Sequence, residues 1–222
     1  MGVVLLVRHG QASFGADDYD VLSETGWAQG RLLGTWLGER GVAPSAIVHG
    51  DLRRQRDTAV AIAEGAGWSS LDPGLDQGWD EFDHLGMVAA YPDLPDGEPD
   101  RREFQDLFEK AAARWTSGEH DGYPESYADF VARVRAALDR ATGTAGPGGT
   151  VVVVSSGGPI AVACAELLDP GADAPGVARL WQRFNTMIVN SSVSRVVVGS
   201  TGPRLLTFNE HPHLEGDHLT YR

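Results

Sequence analysis

Val3-Val4-Leu5-Leu6-Val7-Arg8-His9-Gly10 is the stretch whose reading decides the architecture of this chain. Five consecutive apolar residues, three of them β-branched, predict a short strand of a parallel sheet. Open α/β folds place their ligands at the carboxyl edge of such strands. Here the chain delivers an arginine, a histidine and a glycine to that edge. The guanidinium suits an oxyanion, the imidazole is a nucleophile for it, and the glycine lets backbone approach closely. A histidine that merely holds a loop by hydrogen bonds is the alternative reading of so short a motif.

Working outward, residues 11–21 read as a loop holding Phe14, Gly15 and Tyr19. Ser23-Glu24-Thr25 then opens a helix with Trp27, Leu32, Leu33, Trp36 and Leu37 at helical spacing, closed by Gly41. Ala46–Val48 predicts a second strand, Asp51–Glu64 a second helix, and residues 68–72 a third strand. From Asp76 to Tyr123 the rhythm changes: a turn-rich acidic run (91–99) precedes a helix over Arg101–Trp115. Residues 76–123 are therefore expected to form a helical insertion over the sheet edge, a lid within one domain spanning 1–222. Pro124-Glu125-Ser126 begins a helix through Phe130, Val134 and Leu138. Gly146–Gly149 turns into the strand Val151–Val154, and Ile160–Leu168 is a buried helix. Met187–Val198 and Leu205–Phe208 predict two late strands, a hairpin about residues 199–202. The alternation indicates an α/β fold: a mostly parallel sheet with helices on both faces.

The chain has 222 residues, enough for one core, and a formal charge of −13. That charge argues against a nucleic-acid surface, although a local arginine pocket can still bind a small anion. Seventeen of the eighteen basic residues are arginine; only Lys110 is lysine. The single cysteine, Cys164, sits in an apolar run and reads as a buried structural thiol. The first apolar run is too short for a signal peptide or a membrane span, and Leu6 stands where a myristoylation signal wants Ser or Thr. A cytoplasmic protein with no membrane partner is expected.

A second strand end, Val154-Ser155-Ser156-Gly157-Gly158-Pro159-Ile160, and the stretch Gly50-Asp51-Leu52-Arg53-Arg54-Gln55-Arg56-Asp57-Thr58-Ala59 complete the candidate motifs. On a helix, Arg53 and Arg56 read as a solvated face. Together with Arg8-His9-Gly10, Leu22-Ser23-x-x-Gly26-x-x-Gln29 and the ending Phe208–Leu214, these segments resemble the histidine phosphatase (phosphoglycerate mutase-like) superfamily, in the right order over nearly the whole chain.

The resemblance implies a three-layer α/β/α sandwich and a phosphomonoester hydrolase acting on a small phosphorylated metabolite through a phosphohistidine at His9. It implies phosphate binding by Arg8, Arg54, Ser156 and Gly157, and no metal or cofactor. The proton for the leaving alcohol would come from a carboxylic acid after the third strand. Gln77 and Glu81 are the two alignments, with Asp80 and Asp83 as rivals to Glu81, and Glu81 is preferred. The sequence departs at Ser156, where the family carries a second histidine. His84, three positions after Glu81 and on its face if that segment is helical, is a candidate replacement; packing or surface exposure is as good a reading of it. A weakened or inactive phospho-ligand binder is the rival function, and a mutase-type phosphotransferase a lesser one. His211, His213 and His218 with Glu210, Glu215 and Asp217 read as a family terminus rather than a metal site. A homodimer is left open.

Overall fold

The structure, a computed structural model, describes residues 1–13, 20–95, 97 and 99–221. Phe14, Gly15 and Tyr19 of the expected loop lie outside the described residues. The apolar run at the start is β1 (Gly2–Arg8), followed by α1 (Glu24–Glu39), β2 (Ala46–His49), α2 (Arg53–Ala66) and β3 (Gly74–Leu75). Helices α3 (His84–Ala89), α4 (Arg101–Ser117) and α5 (Tyr127–Ala145) precede β4 (Thr150–Ser155). Helices α6 (Gly157–Leu168) and α7 (Ala174–Asn185) lead to the hairpin β5 (Val193–Gly199) and β6 (Gly202–Glu210). The sheet order is β3-β2-β4-β1-β5-β6. Strands β3, β2, β4 and β1 run parallel; β5 is antiparallel to β1, and β6 to β5. The sheet is thus mixed.

Register sets the site. Arg8 pairs with Ser155, and His49 with Val154. His9, Gly50 and Ser156 therefore leave the sheet together at its carboxyl edge. Alternation does the rest: Leu5 and Val7 face the cluster of Leu33, Leu37 and Ile62 from α1 and α2. Val4 and Leu6 face Phe130, Val134, Ile160 and Trp181 from α5, α6 and α7. Helices cover both faces, which makes three layers.

The segment Leu22–Gln29 works as a bracket on the β1 exit. The Ser23 hydroxyl accepts from the Gly26 amide at 3.0 Å and caps α1. A Cβ on Gly10 would lie 2.4 Å from the Gly26 carbonyl oxygen, so the close approach that Gly10 permits is to this helix start. Buried Gln29 accepts from the Gln11 amide and donates to the His218 carbonyl and the Thr220 hydroxyl, each at 2.8 Å. In the 76–123 segment, Asp100 and Glu103 form a capping box on α4. Trp115 of α4 stacks on Phe82 at 4.9 Å, while Phe130 and Trp181 meet Phe82 edge-on at 5.6 Å. Burial of these rings holds α4, α5 and α7 around one residue.

Several expected elements differ. Residues 68–72 are not a strand: Gly67 is left-handed at φ 71°, and the Trp68 amide bonds back to Ala63, which folds Trp68 and Leu71 onto α2. The third strand is the pair Gly74–Leu75 instead. Residues 187–192 are irregular, since β5 begins at Val193, and α6 starts at Gly157, three residues early. Helix α7 was not anticipated; Asp173 caps it, with a proline in its first turn. Cys164 is fully buried, and its thiol is pushed up to about 12 by that burial. Among the described residues no helix is long and apolar enough to cross a membrane.

Candidate active site

At the carboxyl edge a cleft is walled by Arg8, His9, Arg54, Glu81, Phe82, His84, Phe108, Gly157 and Asn185. His9 is buried. Its Nδ1 lies 2.7 Å from the Gly10 carbonyl oxygen, which accepts hydrogen bonds only, so Nδ1 carries the proton. Its Nε2 accepts from Arg54 Nε at 3.1 Å, so the lone pair is on Nε2. Burial, reinforced by Arg54 and Arg8, holds the imidazole well below its ordinary value of 6.5. His9 is neutral at pH 7, with its nucleophilic nitrogen facing a guanidinium.

Arg54 is placed by the start of α2. It is buried, and its Nη1 pairs with Asp20 Oδ1 at 2.8 Å. Asp20 also accepts from the Arg53 amide at 2.8 Å, capping a helix whose own N-cap, Leu52, has no side chain for the task. Asp20 was not anticipated; it lies 33 residues before Arg53, and no local pattern marks it. Arg53 is exposed, and Arg56 pairs with Asp57 on the surface, as expected of a solvated face. Arg8 sits at the end of β1, its Nη1 donating to the carbonyls of Ile188 and Tyr221, the latter at 3.1 Å.

Glu81 follows the short turn Gln77–Trp79 and is locked by the ring packing of Phe82. Its carboxylate accepts from the Gly158 amide and from the Phe82 amide, both at 3.2 Å. Burial nevertheless lifts its proton affinity above the ordinary 4.5. The rivals are occupied elsewhere. Gln77 donates to Asp51, Asp80 accepts from the Asp51 amide, and Asp83 caps α3 through the Gly86 amide. None of the three lines this cleft.

His84 lines the cleft, although residues 80–83 are not helical; it is the first residue of α3 and reaches the site from there. Burial, then Arg54, lowers its proton affinity. Ser156 is fully buried, and its hydroxyl accepts from Gln55 Nε2 at 2.9 Å. It is not among the residues walling the cleft, whereas Gly157 is. Sequence reasoning missed Phe108 and Asn185. Asn185 overhangs Gly157, its Oδ1 lying 2.7 Å from where a Cβ there would be. His211 and His213 bind backbone oxygens of Asn209 and Ser191. Among the described residues no cluster of His, Cys, Asp and Glu could hold a metal ion.

Known proteins resemble this chain in sequence and in fold. The glucosyl-3-phosphoglycerate phosphatase of Mycolicibacterium vanbaalenii is 33% identical over 183 residues, which cover 74% of this chain and 73% of that protein. The solved mycobacterial glucosyl-3-phosphoglycerate phosphatase in complex with VO3 superposes with a TM-score of 0.65 at 25% identity, covering 94% of this chain and 99% of that one. YhfR of Bacillus stearothermophilus shares the fold, with a TM-score of 0.71 at 19% identity over 96% of this chain and 99% of its own. The profile of the histidine phosphatase superfamily (branch 1) matches residues 4–211, from inside β1 to beyond β6. With Arg8, His9 and Arg54 gathered on one sheet edge and that match running nearly end to end, the chain belongs to the histidine phosphatase superfamily.

Proposed function

We propose that the chain is a phosphomonoester hydrolase that works through a phosphohistidine on His9. The observation carrying this reading is the fixed tautomer: Nδ1–H on the Gly10 carbonyl and an Nε2 lone pair held by Arg54 Nε on the cleft wall, a contact that an entering phosphoryl group would replace. Nε2 attacks phosphorus in line; the N–P bond forms as the ester P–O bond breaks. Glu81, whose proton affinity is raised by burial, gives a proton to the departing alkoxide. Water then attacks phosphorus, Glu81 takes the water's proton, and the N–P pair returns to Nε2. Arg8 and Arg54 neutralise the equatorial oxygens, and the amide end of α6 at Gly157 adds a partial positive charge. His84 supplies the donor that Ser156 does not, since Ser156 is committed to Gln55 beneath the cleft. The 76–123 segment acts as the lid, through Phe108 on α4.

The relative's activity supports a small phosphorylated metabolite as substrate. A second reading, a phospho-ligand binder with weak or no turnover, is favoured only by Ser156. A mutase would need a closed cationic lid, and residues 76–123 hold more acids than bases. The test is a panel of phosphomonoesters with quenched-flow trapping. Turnover with an acid-labile, base-stable phosphate on His9, both lost in His9→Ala, is the expected result. Full activity in His9→Ala would overturn the mechanism, and phosphate binding without turnover of any ester would favour the binder.

A further inference from the structure

Two clefts meet above the candidate site and share two walls. The inner one, about 210 Å³, has Arg8, His9, Arg54 and Glu81 at its base. The outer one, about 320 Å³, opens between α4 and α7 and shares Phe108 and Asn185 with the first. A phosphoryl group seated on the arginines would have the outer cleft within reach of its alcohol portion, past these two shared residues. Small-molecule sites run upward from about 300 Å³, so the outer cleft is large enough to recognise a group of its own.

The chemistry of the two clefts differs. Among the described residues walling the outer cleft none is Arg, Lys or His, and Glu109 is the one ionisable group. A carboxylate or second phosphate placed there would lose water, meet no cation and face a like charge. Hydroxyl groups would find partners. The Gln182 and Asn185 amides each offer a donor and an acceptor, and Glu109, held by Gln105 Nε2 at 3.0 Å, offers carboxylate oxygen. Phe108 adds flat apolar surface for the C–H side of such a group, and Trp181 lies beneath it. Trp181 is rigid: it is buried, and its Nε1 donates to the Gly158 carbonyl at 3.1 Å.

We infer that the α4–α7 cleft is a leaving-group subsite that selects phosphate esters of uncharged, hydroxyl-bearing alcohols and disfavours carboxylated ones, a preference that sets this chain apart from the relative named for a phosphoglycerate. The inference rests on the hydrolase reading above, and its test separates the two. Glycerol 3-phosphate and 3-phosphoglycerate form a matched pair, a hydroxymethyl group in one standing where the other has a carboxylate; glucose 6-phosphate is the bulky uncharged probe. Each is measured as kcat/KM in the parent and as Kd in His9→Ala, with vanadate affinity of the parent reporting the inner cleft alone.

The parent should favour glycerol 3-phosphate over 3-phosphoglycerate by roughly tenfold, the scale of one unpaired like-charge contact. Glu109→Arg should reverse that preference. Ala113→Trp, at an exposed α4 position in the cleft wall, should weaken glucose 6-phosphate about tenfold more than glycerol 3-phosphate, with vanadate affinity kept. A parent that prefers 3-phosphoglycerate, a preference that neither substitution changes, or no ester binding at all would overturn the subsite. The expected Kd pattern without turnover in the parent would retain the subsite and sink the hydrolase.

Discussion

Replacing Gly158 by alanine displaces the proposed acid without altering it. A Cβ at this position would lie 2.1 Å from Glu81 Oε1, 3.1 Å from its Cδ and 3.0 Å from Phe82 Cδ1. Non-bonded heavy atoms settle nearer ~3.5 Å, so the carboxylate must retreat by on the order of 1 Å. The obstructing atom is the end of a flexible side chain, so the fold should lose only about 1 kcal/mol. A 1 Å error in a catalytic group is worth about 10²-fold in rate. Turnover of an alkyl phosphate should therefore fall by about 10²-fold, while p-nitrophenyl phosphate, whose leaving group departs without a proton, should fall only about threefold. Steady-state kcat for both esters and a thermal melt of the variant make the comparison. Equal losses for the two esters would mean that the helix start is distorted in general. No loss for either would remove Glu81 from the chemistry.

The pH profile should be shifted to the acid side. Activity rises as His9 loses its proton, at a pH well below 6.5, and falls as Glu81 ionises, above 4.5. Glu81→Gln should erase the falling limb, and a limb that survives in that variant would refute the assignment. Arg54→Ala should weaken vanadate inhibition by about 10²-fold, with Arg53→Ala near parental, because only Arg54 reaches His9. Equal inhibition constants would contradict the geometry. Ser156→His meets Gln55 in a closed interior and should cost about 1–3 kcal/mol by overpacking. Adding Gln55→Ala should restore the melting temperature, with kcat no higher than the parent's because His84 already holds the donor's place. A single variant as stable as the parent would show that the interior has room.

The central strands were legible because β1 and β4 are continuous apolar runs whose ends carry the motifs. Arg54 and Glu81 were picked out through resemblance, and both line the cleft; their neighbours differ in that Arg53 is exposed and Asp80 is held by the Asp51 amide. What stayed hidden was mostly contact between distant residues. Gln55 and Ser156 meet only because β2 and β4 are adjacent. Asp20 and Asn185 are ordinary polar residues until the fold brings them to α2 and Gly157. His84 was a sound candidate on a mistaken local geometry, reaching the cleft from the start of α3 rather than along a shared helical face. The two-residue β3 and the irregular 187–192 stretch lack any periodicity to read. Asp173 and Pro175 did announce α7, by a cap and a first-turn proline.

The place of β1 has a consequence for how the molecule is made. Val3 pairs with Thr150 on one side and with Val197 on the other. The strand that carries Arg8 and His9 therefore leaves the ribosome long before either of its neighbours exists. During synthesis it is an apolar ribbon with two open edges, the kind of segment that chaperones shield and that aggregates when they do not. β1 gains its second partner only once β5 is translated, so the sheet around the pocket is completed late in synthesis. Truncation or stalling before Val193 should yield a chain with every candidate catalytic residue present and none of them in position.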